Sequence, residues 1–361
     1  MDNYREVSLL PSKAVGASGT ETIDLAIDEP LTSLYVAFGA TNGAAVADAV
    51  PPENCISKIE IVDGGQVYYS CSGPEAVAAA VYDTGQWPPT WYDERANGGQ
   101  NITIPLLFGR YLGDEDFAFS PARLLNPQLK VTWARNALHT TTGYTLGVRV
   151  KAMQGVGAPP RALMVRNIRT FTSAASGIEG TNLPIDLPIR RLLVRAYKAQ
   201  TDWFGILTHF KLDCDVGKLI VFDVSQWTFL ELLQEVFPSI EIPSTVCLDD
   251  GVWKDGWLGA IAGGAVNPIT PDVFAGVWSA GAGKYQQWSA TDGGVSSNDQ
   301  VSQLRLWGHM PHTVLAYQFG RKDDPASWFV ANRYGQARLE LTQGTVSVSI
   351  GVLLQRPTPI P

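Results

Sequence analysis

The chain has 361 residues, 45% of them apolar and only 17% charged, with 35 glycines, 23 prolines and a net charge of −8. That length gives two domains a full core each, and the composition suits many short strands joined by turns rather than a disordered or long-helical chain. The acidic balance argues against wrapping nucleic acid as the main task, no run of about 18 uninterrupted apolar residues offers a membrane-spanning helix, and MDNYREVSLLPSK lacks the basic-then-apolar order of a signal peptide.

Residues 1–22 are polar, with little periodicity beyond Val7–Leu10, and are expected to form an extended arm. A first unit follows over 23–150. It begins with a strand in Ile23–Ala40, then a strand–turn–strand over Lys58–Val67 with its turn at Gly64-Gly65. A short helix is predicted over Pro74–Tyr82, with proline in the first turn and Gly85 as its stop. Strands ending at Phe108-Gly109-Arg110, over Gln128–Thr132 and over Tyr144–Val150 complete it. Residues 151–180 are expected to be a linker holding one apolar-basic stretch, Ala162–Phe171, as a strand or edge packing. A second unit spans 181–354, and 355–361 (QRPTPIP) is expected to be a polyproline-like tail unable to pair as a central strand.

The second unit repeats the first. Leu183–Ala199 matches Ile23–Ala40, Phe210–Leu219 matches Lys58–Val67, and Gln226–Val236 matches the helix. Phe319-Gly320-Arg321, Arg338–Thr342 and Val346–Val352 match the last three blocks. Six blocks in one order imply a duplication. The offset jumps from 152 at Gly65/Gly217 to 211 at Phe108/Phe319, so the second copy carries about 59 extra residues within 243–300. That insertion holds Trp253, Trp257, Trp278 and Trp288, which either pack a small subdomain or bury against a partner. About eight short strands per copy, with a helix at a fixed place in each, point to an all-β chain of two tandem eight-stranded jelly rolls with short helices in the connecting loops; an immunoglobulin-like sandwich is the alternative.

No catalytic, cofactor or metal site is expected. His309 and His312 are spaced as a pair, but Pro311 breaks the helix that would align them and no third ligand is near. The acidic clusters Asp249-Asp250 with Asp255, and Asp114-Glu115-Asp116, lack calcium-loop spacing. None of the four histidines stands near a nucleophile elbow, and no phosphate loop is present. Cys55, Cys71, Cys214 and Cys247 lack metal or redox spacing and read as free thiols. Arg110 and Arg321 recur at one place, which suggests a shared structural role: pairing with Asp114 or Asp116, and with Asp323 or Asp324, at about 0–1 kcal/mol if exposed. The segment 149–198 carries nine basic against two acidic residues. It reads either as solvated edge-strand arginines or as a basic face toward lipid headgroups or a neighbouring subunit. Trp87-Pro-Pro-Thr-Trp91 with Asp93-Glu94 is the best candidate for a glycan site.

The paired blocks, above all Ile56–Val62 with Gly64-Gly65 and Leu107–Asp114 leading to Asn126–Trp133, resemble the double jelly-roll major capsid proteins of tailless icosahedral viruses, many of them membrane-containing. The resemblance covers nearly the whole chain. It implies a structural protein rather than an enzyme, made in the host cytoplasm and located in the virion. It implies a homotrimer whose six rolls form a pseudo-hexagonal block in a capsid lattice, with the 243–300 insertion as an outward tower. Implied partners are further copies of the chain, penton and minor capsid proteins, and an internal lipid membrane, with no direct nucleic acid contact. The competing readings are a secreted glycan-acting or glycan-binding protein and a minor capsid or spike protein.

Overall fold

A computed structural model describes residues 4–43, 51–93, 97–135, 141–198, 201, 203–247, 253–255, 258–268, 273–279, 284–291 and 301–361. The first unit runs β1 (Tyr4–Val15), β2 (Ser18–Asp24), β3 (Leu31–Asn42), β4 (Ile56–Asp63), β5 (Gln66–Cys71), α1 (Gly73–Thr84), β6 (Thr90–Trp91), β7 (Gly99–Leu107), β8 (Pro127–Ala134) and β9 (Thr141–Met153). The second runs β10 (Arg161–Thr172), β11 (Ile178–Leu183), β12 (Arg191–Tyr197), α2 (Trp203–Ile206), β13 (Leu207–Cys214), β14 (Leu219–Ser225) and α3 (Gln226–Val236). Six inserted strands follow: β15 (Ile240–Cys247), β16 (Trp253–Asp255), β17 (Leu258–Pro268), β18 (Val273–Ser279), β19 (Lys284–Thr291) and β20 (Val301–Pro311). The unit closes with β21 (Val314–Gln318), β22 (Ala337–Gln343) and β23 (Ser349–Pro359).

Strand order establishes the fold. The first unit packs β1-β9-β3-β7 against β2-β8-β4-β5, and the second packs β10-β23-β12-β21 against β11-β22-β13-β14. Each is a jelly roll of two four-stranded sheets, in which the first strand pairs with the last, and the two rolls match strand for strand. Parallel pairing of β5 with β10 at Ser70 and Arg166 joins a sheet of each roll into one eight-stranded sheet. One apolar core cluster runs through both rolls.

Period-two patterning builds the walls. Ile102, Ile104 and Leu106 of β7 face the core, as do Leu129 and Val131 of β8 and their counterparts Leu339 and Leu341 of β22. Helix α1 starts where Glu75 Oε2 accepts from Ser72 N, with Pro74 in its first turn, and stops at Gly85, whose φ of 72° suits a residue without Cβ.

Three expectations are corrected. The N-terminal segment is no arm: β1 pairs with β9 along its length, and β2 pairs with β8. The segment 151–180 is more than a linker, because it carries β10 and the start of β11, the first two strands of the second roll. The C-terminal segment is no free tail, since β23 continues along β10 as far as Pro359 opposite Arg161. On its other side β23 pairs with β12 only up to Gln355. Ile360 N donates to Pro160 O on the β10 side, so by strand alternation Pro357 and Pro359 point their missing N–H groups to the side where β12 has ended.

The pairing also refines the repeat. Leu34 lies opposite Val150 and Leu192 opposite Leu354, so the counterpart of Val150 is Leu354, two residues beyond the block match. The β13–β14 turn leaves four residues between Cys214 and Leu219, whereas the β4–β5 turn leaves two. A match anchored on glycine therefore slips by one residue in the strand before it. Ile59, not Lys58, is equivalent to Phe210, as their partners Val131 and Leu341 show. The insertion occupies 240–311 as two three-stranded antiparallel sheets, β15-β20-β17 and β16-β19-β18. The side chains of Trp253, Trp257, Trp278 and Trp288 lie outside the described residues.

Candidate assembly surfaces

The junction between the rolls is built around α1. Its residues Gly73 through Tyr82 are all buried, among them Ala76, Ala78, Ala79 and Ala80, whose small side chains suit close packing. Tyr82 Oη donates to the Val314 carbonyl at 2.5 Å, tying the helix to β21 of the second roll. Beside it, Asp83 accepts from Arg190 Nη1 at 2.7 Å, Arg191 Nη1 at 3.0 Å and Gln355 Nε2 at 2.9 Å. Both arginine side chains have 0% exposure.

Two guanidiniums thus share one carboxylate in the interior. Carbonyls and a ring face carry the rest: Arg190 Nε donates to Lys322 O, Arg191 Nη2 to Tyr82 O, and Arg191 lies 5.2 Å from the Phe237 ring centroid. Arg190 Nη2 has no partner among the described residues. Burial pushes Arg191 down to about 10, against the pull of Asp83, so it stays charged at neutral pH. Burial would raise the Asp83 carboxyl, but Arg190 and Arg191, with Gln355, outweigh it and hold Asp83 below the ordinary carboxylate range.

A second polar cluster crosses the junction. His312 Nε2 lies 3.0 Å from Glu53 Oε1, which also accepts from Tyr92 Oη at 2.7 Å, and Trp87 Nε1 donates to that same hydroxyl. Glu53 and His312 are buried. Burial, reinforced by the positive charge of Arg195, holds the His312 imidazole below its ordinary value against the opposing pull of Glu53. His312 therefore sits in a structural contact, while His309 is half-buried elsewhere with Nδ1 unpartnered among the described residues.

The same cluster dismantles the glycan candidate. Trp87 is half-buried against His312 and Asp93 is buried, Trp91 and Pro89 stand exposed, and Glu94 lies outside the described residues.

The two Phe-Gly-Arg segments share less than expected. Arg110 grips Asp114 through Nε and Nη2 at 2.7 Å each and reaches Asp116 at 2.6 Å, and the Asp114 side chain has 0% exposure. Arg321 is exposed and forms no ion pair among the described residues. Its backbone N–H donates to Ser327 Oγ, where Arg110 N–H donates to Asp114, and Asp324 turns to cap Ala326 N instead. What does repeat is the phenylalanine. Phe108 stacks on Phe119 at 5.3 Å and Phe319 on Phe329 at 5.1 Å, while Leu31–Phe119 and Ile189–Phe329 form matching backbone bridges.

A repeated carboxylate clamp, which sequence reasoning passed over, lies at the turns. Asp63 accepts from Leu125 N and Asn126 N, and Asp215 from Gly335 N and Gln336 N. The signal was present, since the turn blocks align Asp63 with Asp215, but their donors are distant loop amides with no side-chain motif.

The basic segment is no single face. Arg190, Arg191 and Arg195 are interior, Arg149 and Lys151 pair with Glu6, and Arg169 pairs with Glu179. Cys55, Cys71 and Cys214 are buried and form no disulfide among the described residues, and the Cys247 side chain lies outside them.

No family model matches the chain, and no curated protein does. Solved structures do. The major capsid protein of Sulfolobus turreted icosahedral virus superposes with a TM-score of 0.60 at 12% identity, over 99% of this chain and 97% of the other. The major capsid protein P2 of bacteriophage PM2 gives 0.55 at 11% identity, over 99% and 98%. VP54 of PBCV-1 gives 0.58 at 11% identity, over 99% and 94%. The fold is a double jelly roll. Coverage from end to end means that both rolls and their side-by-side placement are shared, and at these identities the likeness establishes the fold alone. Within this double jelly roll, the α1 junction joins the rolls, and Trp227 and Val236 of the matching helix α3 are half exposed.

Proposed function

We propose that the chain is a structural major capsid protein that assembles as pseudo-hexagonal homotrimers into an icosahedral shell. The observation that carries this reading is the side-by-side pair of equivalent jelly rolls, joined through one continuous sheet and matching capsid proteins over their whole length. Two similar rolls per chain make three chains a six-lobed block, and such a block tiles a hexagonal lattice with one repeated contact. The insertion of 240–311 is then an elaboration of one roll in two, giving the block threefold rather than sixfold decoration. Penton and minor capsid proteins are the partners such a lattice needs at its vertices and seams. The basic segment argues little for an inner membrane, because Arg190, Arg191 and Arg195 are interior and Arg149, Lys151 and Arg169 pair with carboxylates of the chain itself. The buried charges at the junction, Asp83 with Arg190 and Arg191 and Glu53 with His312, hold the two rolls together.

Sedimentation of the purified chain tests the reading. A species near 117 kDa, three times the 39.1 kDa chain, is expected. A monomer at all concentrations, or one that binds glycans, favours the carbohydrate reading instead.

A further inference from the structure

The two rolls are joined by one kind of contact, and each half of that contact recurs unused. Within the chain, α1 and the edge of β5 from the first roll meet β10 and its sheet from the second. The duplicate of the first half is α3 with β14, and among the described residues β14 pairs only with β13. The duplicate of the second half is β1 with its sheet, and among the described residues β1 pairs only with β9. Helix α3 is also left bare where α1 is covered. Counting from the caps Ser72 and Ser225, Trp227 corresponds to buried Pro74 and Val236 to Asp83, whose side chain is 5% exposed, yet they are 52% and 50% exposed.

The fit extends to single residues. In the second roll the first turn of α1 lands on Gly351: a Cβ there would come within 2.5 Å of Glu75 Oε1, and Asn167 Nδ2 donates to the same oxygen. Strand pairing makes Gly147 the counterpart of Gly351, because Ala37 lies opposite Gly147 as Arg195 lies opposite Gly351. Ser8 is likewise the counterpart of Asn167, and both strands carry a register shift at that point, Ser8/Leu10 in β1 and Asn167/Arg169 in β10. Over Gly147 the first roll has an open groove of about 170 Å³, lined by Ser8, Leu10, Ala37, Gly147 and Val148. Where the second roll receives a helix, the first roll holds an open groove at the equivalent position, with Ser12 brought beside Gly147 by a second register shift in β1, Leu10/Lys13, that β10 lacks.

We propose that the occupant is a second copy of this chain: the first turn of α3, with Trp227 and Thr228, seats in the groove over Gly147 of the next chain, and β14 lies along the outer edge of its β1. The contact is head-to-tail and closes into a ring when its rotation is threefold, as the homotrimer reading requires, and it covers the two strand edges that the duplication leaves open. This inference rests on the homotrimer reading and assigns its interface.

The test is the double variant Ser8→Cys with Thr228→Cys, whose positions correspond to the Asn167–Glu75 contact and are both exposed. After mild oxidation, non-reducing denaturing gels are expected to show covalent dimers and trimers, absent from either single variant. Ala37→Trp, which fills the groove, is expected to raise the concentration at which trimers dissociate by tenfold or more. Trimers that sediment normally but neither cross-link nor respond to Ala37→Trp overturn the interface and leave the capsid reading standing. A chain that sediments only as a monomer overturns both.

Discussion

Replacing Asp83 with asparagine removes the carboxylate that Arg190 and Arg191 share, and leaves two guanidiniums of 0% exposure without a counter-charge. Breaking a buried pair from one side costs about 3–5 kcal/mol, most of it the penalty of the uncompensated charge. Unfolding entropy near 2.1 cal/mol/K per residue gives roughly 0.75 kcal/mol/K for 361 residues melting together, so Tm should fall by about 4–7 °C. The effect should also depend on pH. The folded-state pKa of Asp83 is depressed, so its contribution is fully present above the unfolded carboxylate value of about 3.9 and is lost as pH falls through the lower folded value. The stability gap between native and variant should therefore close in strong acid. Calorimetry across pH 2–7 is the assay. A triple variant with Asp83→Leu, Arg190→Met and Arg191→Met should recover most of the loss, because apolar groups of similar volume replace the cluster at little net cost. A Tm for Asp83→Asn within about 1 °C of native at pH 7 would refute the claim that this cluster fastens the rolls.

Other outcomes follow from the same geometry. Arg110→Ala should cost about 2–3 kcal/mol in urea unfolding by stranding the buried Asp114, whereas Arg321→Ala should stay within about 0.5 kcal/mol; equal losses would restore the shared role that the repeat suggested. Gly351→Ala should destabilise by about 1–3 kcal/mol, since its Cβ meets Glu75 at the roll junction, while a neutral result would mean that α1 seats differently. His312 has a lowered folded pKa, so its contribution is present above the unfolded value of about 6.5 and fades as pH falls toward the folded value. His312→Gln should flatten the fall in urea midpoint between pH 7.5 and 5.5, and an unchanged slope would place that titration elsewhere.

The fold was legible where apolar alternation and turn residues coincide. The repeated blocks locate β3, β4, β8 and the helices because each carries a run of apolar residues with glycine or proline at or near one end. The outer strands were not legible. β1 carries Arg5, Glu6, Lys13 and several serines, and its place in the sheet comes from pairing with β9, a contact about 140 residues away that local pattern does not encode. Pro357 and Pro359 argued against a strand until the pairing showed which side of β23 they face. Charge misled in a similar way. Arg190 and Arg191 look like surface residues in sequence, and only the approach of α1 from the other roll makes them interior. The repeated arginines drew attention because they are chemically conspicuous, while the phenylalanines beside them hold the common architecture.

The central claim is geometric: two equivalent rolls per chain, three chains to a block, six lobes in a ring. Electron microscopy of the purified assembly viewed end-on tests it most directly. The account predicts class averages with a six-lobed outline and threefold symmetry, alternate lobes bearing extra density from the 240–311 insertion. Averages with twofold symmetry, or particles of a single two-lobed chain, would contradict it.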